Sequence, residues 1–72
     1  MVRKVNGAAI KAIREAAEIS QTDLASRSGI TASQLSKVER GANGMSPAAA
    51  RRVAEALGVD IKAICPVVEA AA

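Results

Sequence analysis

Between Gln21 and Arg40 the chain carries a dense set of side chains that donate hydrogen bonds or positive charge: Gln21, Thr31, Ser33, Ser36, Lys37 and Arg40, with Asn43 just beyond. Hydroxyls, amides and cations grouped in this way suit an anionic, acceptor-rich surface. They do not make a catalytic site. The 72-residue chain has no histidine, so the usual proton shuttle is missing, and neither Cys65 nor any serine has an evident base. A single cysteine cannot form an internal disulfide, and without histidine a zinc site has almost no ligands. No enzyme activity, metal or cofactor is therefore expected, and Cys65 is read as a small buried or interfacial apolar residue. The net charge of +3, with a pI near 9.6, favours an anionic partner without specifying one.

The residues that would present this set form two short helical patterns joined by a glycine. Leu24 and Ala25 give the first a buried edge, Leu35 and Val38 give the second its own, and Gly29 between them can adopt the positive φ that ends a helix tightly. Ser20 with Asp23, and Thr31 with Gln34, have the spacing of capping boxes. Ile19 and Ile30 each stand five residues before a leucine, which is the spacing of a hydrophobic staple. This pattern over 21–40 is a helix-turn-helix.

The remaining elements follow from the same signals. The chain suits one small all-α domain: sixteen Val, Ile and Leu residues suffice for one core, no aromatic bulks it out, and about a quarter of the residues are alanine. Asn6 is a cap for a first helix over Gly7 to Ala17, whose Ile10, Ile13 and Ala17 share a face. Gly41 to Pro47 reads as a loop, and Ser46 caps a fourth helix that starts at Pro47. Ala50, Val53, Ala54 and Leu57 form that helix's buried stripe, with Arg51, Arg52 and Glu55 outside and Gly58 as its stop. Asp60 caps a fifth helix carrying Ile61 and Ile64, and Pro66 ends it. The expected layout is a flexible N-terminal arm over 1–5, a five-helix domain over 6–66 and a tail over 67–72. No run of about 18 apolar residues and no signal peptide is present, so the expected location is cytoplasmic.

With Leu35 and Val38 turned inward, Ser33, Ser36, Lys37 and Arg40 point away from the core at about 100° per residue. A solvated polar surface is the ordinary reading of such a face. In a helix-turn-helix it becomes the face that enters a DNA major groove, because the turn holds the second helix out while the first crosses the backbone. Ser33 can then bond base edges or phosphates, Ala32 can touch a thymine methyl, and Lys37 can reach guanine. Arg40 suits a phosphate, and so does Gln21 at a helix N-terminus. Arg14 and Glu39 each lie about 70° from the centre of an apolar face. They are read either as a charge pair joining helix 1 to the end of helix 3, or as two residues on the solvated rim.

The run IREAAEISQTDLASRSGITASQLSKVERG, followed by ARRVAEALGVDIKAI, resembles the lambda-repressor-like, or Xre/Cro-type, helix-turn-helix family over roughly residues 10–64. The resemblance implies a compact bundle of five helices whose third helix reads double-stranded DNA. It implies that Gln21, Ala32, Ser33 and Lys37 face DNA, that Asn43 and Gly44 lie in a phosphate-touching loop, and that Arg14 and Glu39 form a buried ion pair. Unlike larger members, the chain shows no sensor or cleavage domain after the module, so ligand-controlled repression is not expected.

One module makes few contacts, so a homodimer on a pseudo-palindrome is expected, formed in solution or only on DNA, with Ile64, Cys65, Val67 and Val68 as its surface. The leading function is a Cro- or repressor-like transcriptional regulator. The rivals are an antitoxin or recombination accessory factor, and a helix-turn-helix scaffold for protein contacts.

Overall fold

We describe residues 5–65 of a computed structural model of the chain. The expected arm, apart from Val5, and the expected tail lie outside the described residues, as does Pro66. Four α-helices follow one another: α1 (Gly7–Ala16), α2 (Gln21–Ser28), α3 (Ala32–Glu39) and α4 (Pro47–Leu57). A single 3-10 turn over Ile61–Ala63 comes last.

Each helix starts where a side-chain oxygen accepts an orphan backbone N–H. Asn6 accepts from Ala9, Ser20 from Asp23, Thr31 from Gln34 and Ser46 from Ala49, at 3.0–3.1 Å. At Thr31 the box is complete, because Gln34 Oε1 accepts the Thr31 N–H at 2.9 Å. At Ser20 it is not. The Asp23 side chain is a methylene shorter than Gln34, and its carboxylate pairs with Arg27 one turn along, at 3.0 Å, instead of reaching back.

All four helices end in the same double hydrogen bond, in which the chain turns through one left-handed residue. The bonds are Ile19 N–H to Arg14 C=O, Ile30 to Ala25, Ala42 to Lys37 and Val59 to Ala54, each 2.9–3.0 Å long. At three ends the left-handed residue is a glycine, Gly29, Gly41 or Gly58. At the first it is Glu18, with φ 60°. This turn ends α1 at Ala16 rather than Ala17, and Ala17 is exposed instead of sharing the buried face of Ile10.

The expected fifth helix is replaced by the 3-10 turn. Gly58 stops α4 and Asp60 caps the next segment through the Lys62 N–H at 2.9 Å, so few residues remain before Pro66. A proline there disfavours α conformation at Cys65 and offers no N–H to continue a helix.

Each element sends one fully buried aliphatic side chain to the centre: Ile10, Leu24, Leu35, Val53 and, just after the 3-10 turn, Ile64. Ala25, Ala49, Ala50 and Ala54 fill the gaps between helices, and Cys65 is buried as a small apolar residue. Ile64 and Cys65 thus belong to the core and do not form the expected dimer surface, whose Val67 and Val68 lie outside the described residues. The two ends of the domain meet where the Asn6 N–H donates to the Ile64 carbonyl at 2.7 Å. Nearby, Gly7 lets α1 rest directly on the end of α3, since a Cβ at Gly7 would collide with the Val38 carbonyl oxygen.

Two substitutions separate these backbone effects in urea melts. Glu18→Gly relieves a left-handed side chain and is expected to stabilise the domain by about 0.5 kcal/mol or more. Gly7→Ala, an ordinary helix-favouring change elsewhere, is expected to destabilise it by about 1–3 kcal/mol through overpacking.

Candidate functional site

The orientation of α3 follows from its apolar pair. Leu35 is 0% exposed and Val38 3% exposed, so the opposite face is left to solvent. Ser33, Lys37 and Arg40 are exposed on that face, and Ser36 between them is half-buried. Its only acidic residue, Glu39, is turned into the protein. The exposed face of α3 therefore carries hydroxyls and cations and no carboxylate.

Glu39 is held from three sides. Arg14 of α1 donates from Nε to Glu39 Oε2 at 2.8 Å and from Nη2 to Oε1 at 3.1 Å, a two-pronged contact. Its Nη1 donates to the Ile19 carbonyl at 2.9 Å, fixing the α1–α2 turn. Gln21, the first residue of α2, donates from its side-chain nitrogen to Glu39 Oε1 at 3.0 Å. The Glu39 side chain is 2% exposed and that of Arg14 11%. Burial works to raise the Glu39 pKa, but the hydrogen bonds from Arg14 and Gln21, with the Arg14 charge, outweigh it and leave the carboxyl below its ordinary value. The bond to Glu39 likewise raises Arg14 against the opposing effect of burial.

The other residues singled out by sequence fall around α3. Thr31 is exposed at its N-cap, its hydroxyl oxygen accepting the Gln34 N–H. Ala32 is half-buried against the core, with only part of its methyl facing outward. Asn43 is exposed in the loop after α3. Gln21 is half-buried, and its bond to Glu39 places it beside the C-terminal end of α3, away from Thr31 and Ala32. Its part in the Arg14–Glu39 network had no sequence signal beyond its own position. Nor did Gly7, whose need for glycine arises from a segment thirty-one positions away.

Comparison with known proteins follows the same geometry. The helix-turn-helix family model matches residues 10–64, and the chain belongs to that family, in its Xre or lambda-repressor-like form. Among solved structures, the restriction-modification controller protein C.AhdI from Aeromonas hydrophila is 32% identical, with a TM-score of 0.77. The match covers 79% of this chain and 86% of that one. The clp gene regulator ClgR from Corynebacterium glutamicum is 31% identical with a TM-score of 0.75, over 76% of this chain and 58% of its own. The biofilm master regulator SinR, solved in complex with DNA, is 30% identical with a TM-score of 0.72, over 76% of this chain and 89% of its own. No curated protein matches the chain.

The buried network predicts a specific stability pattern. Arg14→Met and Glu39→Gln are each expected to cost about 3 kcal/mol in urea melts, and the double variant less than the sum, because each single change strands a buried group. Losses below about 0.5 kcal/mol would assign the pair to the solvated surface. With its folded pKa lowered, Glu39 contributes stability that is present above its unfolded pKa of about 4.3 and lost as pH falls further, through the folded value. Melts at falling pH should show this loss in the parent and a shallower one in Glu39→Gln.

Proposed function

We propose that the chain is a sequence-specific double-stranded DNA-binding transcriptional regulator. It acts by occupying a pseudo-palindromic operator, in the manner of a Cro-like repressor. The observation that carries this reading is the orientation of α3: Leu35 and Val38 are buried, and Ser33, Lys37 and Arg40 are bare on a face without carboxylate. A helix of that description fits a major groove, with short side chains near its start allowing close approach and Lys37 able to reach guanine O6 or N7. The regulators among the structural relatives, SinR with its bound DNA above all, support the same reading.

In this reading the residues divide by task. Ser33 and Lys37 read base edges, Ala32 offers a methyl contact, and Thr31, Ser36, Arg40, Asn43 and Gln21 fix register through phosphates. Gln21 keeps one amide N–H on Glu39 and has the other for a phosphate oxygen. Two copies on half-sites about 34 Å apart would supply the affinity that one module lacks.

Selection of bound sequences from randomised duplexes tests the proposal and should enrich a palindrome. Binding should weaken with salt, with a log–log slope of about −0.9 for each phosphate neutralised. Lys37→Ala should relax the preference at one position, at a cost of about 1–3 kcal/mol against the preferred base. If Lys37→Ala and Ser33→Ala both leave the selected sequence unchanged, α3 is not the reader. Selection that enriches no sequence would favour the scaffold reading.

A further inference from the structure

On one flank of α3 the surface dips into a groove of about 340 Å³ between the α2–α3 turn and the α3–α4 loop. Ile30, Val38 and Met45 supply its apolar lining, Asn43 stands in its wall, and Arg52 reaches it from α4. Arg52 is the one charged residue lining it among the described residues.

The guanidinium is held in place. Its Nε donates to the Ser28 carbonyl at the end of α2, at 2.8 Å. The same Nε lies 3.6 Å from where a Cβ on Gly29 would sit, so the turn packs closely against it. Among the described residues, the arginines in salt bridges are Arg14 and Arg27, and Arg52 pairs with no carboxylate. Its two terminal nitrogens therefore offer a fork of N–H groups with no anionic partner among the described residues.

A cation at the C-terminal end of a helix has a structural use of its own, since it satisfies a carbonyl and the negative end of the dipole. That accounts for the Nε bond. It leaves the rest of the fork, beside a groove without carboxylates, unexplained.

The position of the groove identifies what would fill it. At about 100° per residue, Gln34 and Val38 lie on one flank of the exposed α3 face and Glu39 lies on the other. Gln21 is bonded to Glu39 and so belongs to that second flank. A helix lying in a major groove is bounded by one phosphate strand on each flank. In the DNA-binding reading, Gln21 and the start of α2 would meet one strand, and the groove holding Asn43 and Arg52 would face the other.

We propose that Arg52, fixed by its bond to Ser28, holds a backbone phosphate of the duplex strand opposite the one that meets Gln21. This rests on the DNA-binding reading above. An arginine fork matches phosphate oxygens in geometry and charge, and its anchored Nε removes part of the side-chain entropy otherwise lost on binding.

The test measures binding of the full chain to a mixed-sequence duplex about two helical turns long, across a salt series. Arg52→Ala should weaken binding alike for all sequences and lower the magnitude of the log–log salt slope by about 0.9. Arg52→Lys, which keeps the charge without the fork, should keep the slope. Arg51→Ala, one residue away on the outer face of α4, should also leave it unchanged. Circular dichroism at the assay temperature establishes that each variant is folded. A folded Arg52→Ala with the parental slope would overturn the phosphate site and leave Arg52 as a helix cap, with DNA binding otherwise intact. A parent chain that binds no duplex would overturn both this site and the regulator reading.

Discussion

Arg14 and Glu39 stand 25 positions apart and meet through two hydrogen bonds at a carboxylate almost wholly removed from water. A domain of this length has a total stability of about 4–11 kcal/mol, and an unpaired buried carboxylate costs several. The pair must therefore form whenever the domain is folded, and its geometry becomes a constraint on the helices that carry it. Through Arg14 it fixes α1 and the Ile19 carbonyl, through Gln21 the start of α2, and through Glu39 the end of α3. The angle at which α3 leaves the body of the protein is thus set by a polar lock at one end. The apolar contacts of Leu35 and Val38 set it along its length.

The parts of this fold that were legible in the sequence are those encoded within a few residues. The caps at Asn6, Ser20, Thr31, Ser46 and Asp60, and the glycines ending α2, α3 and α4, all act over two to five positions. The facing of α3 and the inward lean of Arg14 and Glu39 could be read from helical periodicity, because each residue's angle to an apolar stripe is fixed by its spacing. Periodicity left open whether the two pair or lie on the solvated rim. Long-range backbone contacts could not. Nothing local marks Gly7 as the seat of the Val38 carbonyl, or Arg52 as the partner of Ser28. The fifth helix was overread because a cap and a staple spacing say where a helix can start, while its length depends on what stops it. The Ser20 box was overread for a related reason, since Asp23 had a better partner in Arg27.

The α3 face and its two flanks make a surface on which different residue types are set apart. Small hydroxyl-bearing side chains keep the helix surface low, and the cations stand at its middle and end. The flanks carry donors that are anchored to the protein: Gln21 through Glu39 on one side and Arg52 through Ser28 on the other. Anchored donors lose less freedom on binding than free lysines do, which favours a defined register over loose attraction to any polyanion.

The repeated turn that closes every α-helix has a consequence for how the chain reaches this structure. Each terminator is complete within six residues, so α1 to α4 can begin and end before any distant segment arrives. What remains is to dock short, already delimited helices around five central aliphatic side chains, closing the loops that bring α1 to the end of α3 and α4 to α2. Helical domains, whose elements form from local contacts, fold on timescales of about microseconds to milliseconds. A chain of this kind would spend little time with its apolar stripes exposed, and so would run little risk of sticking to other copies as it emerges.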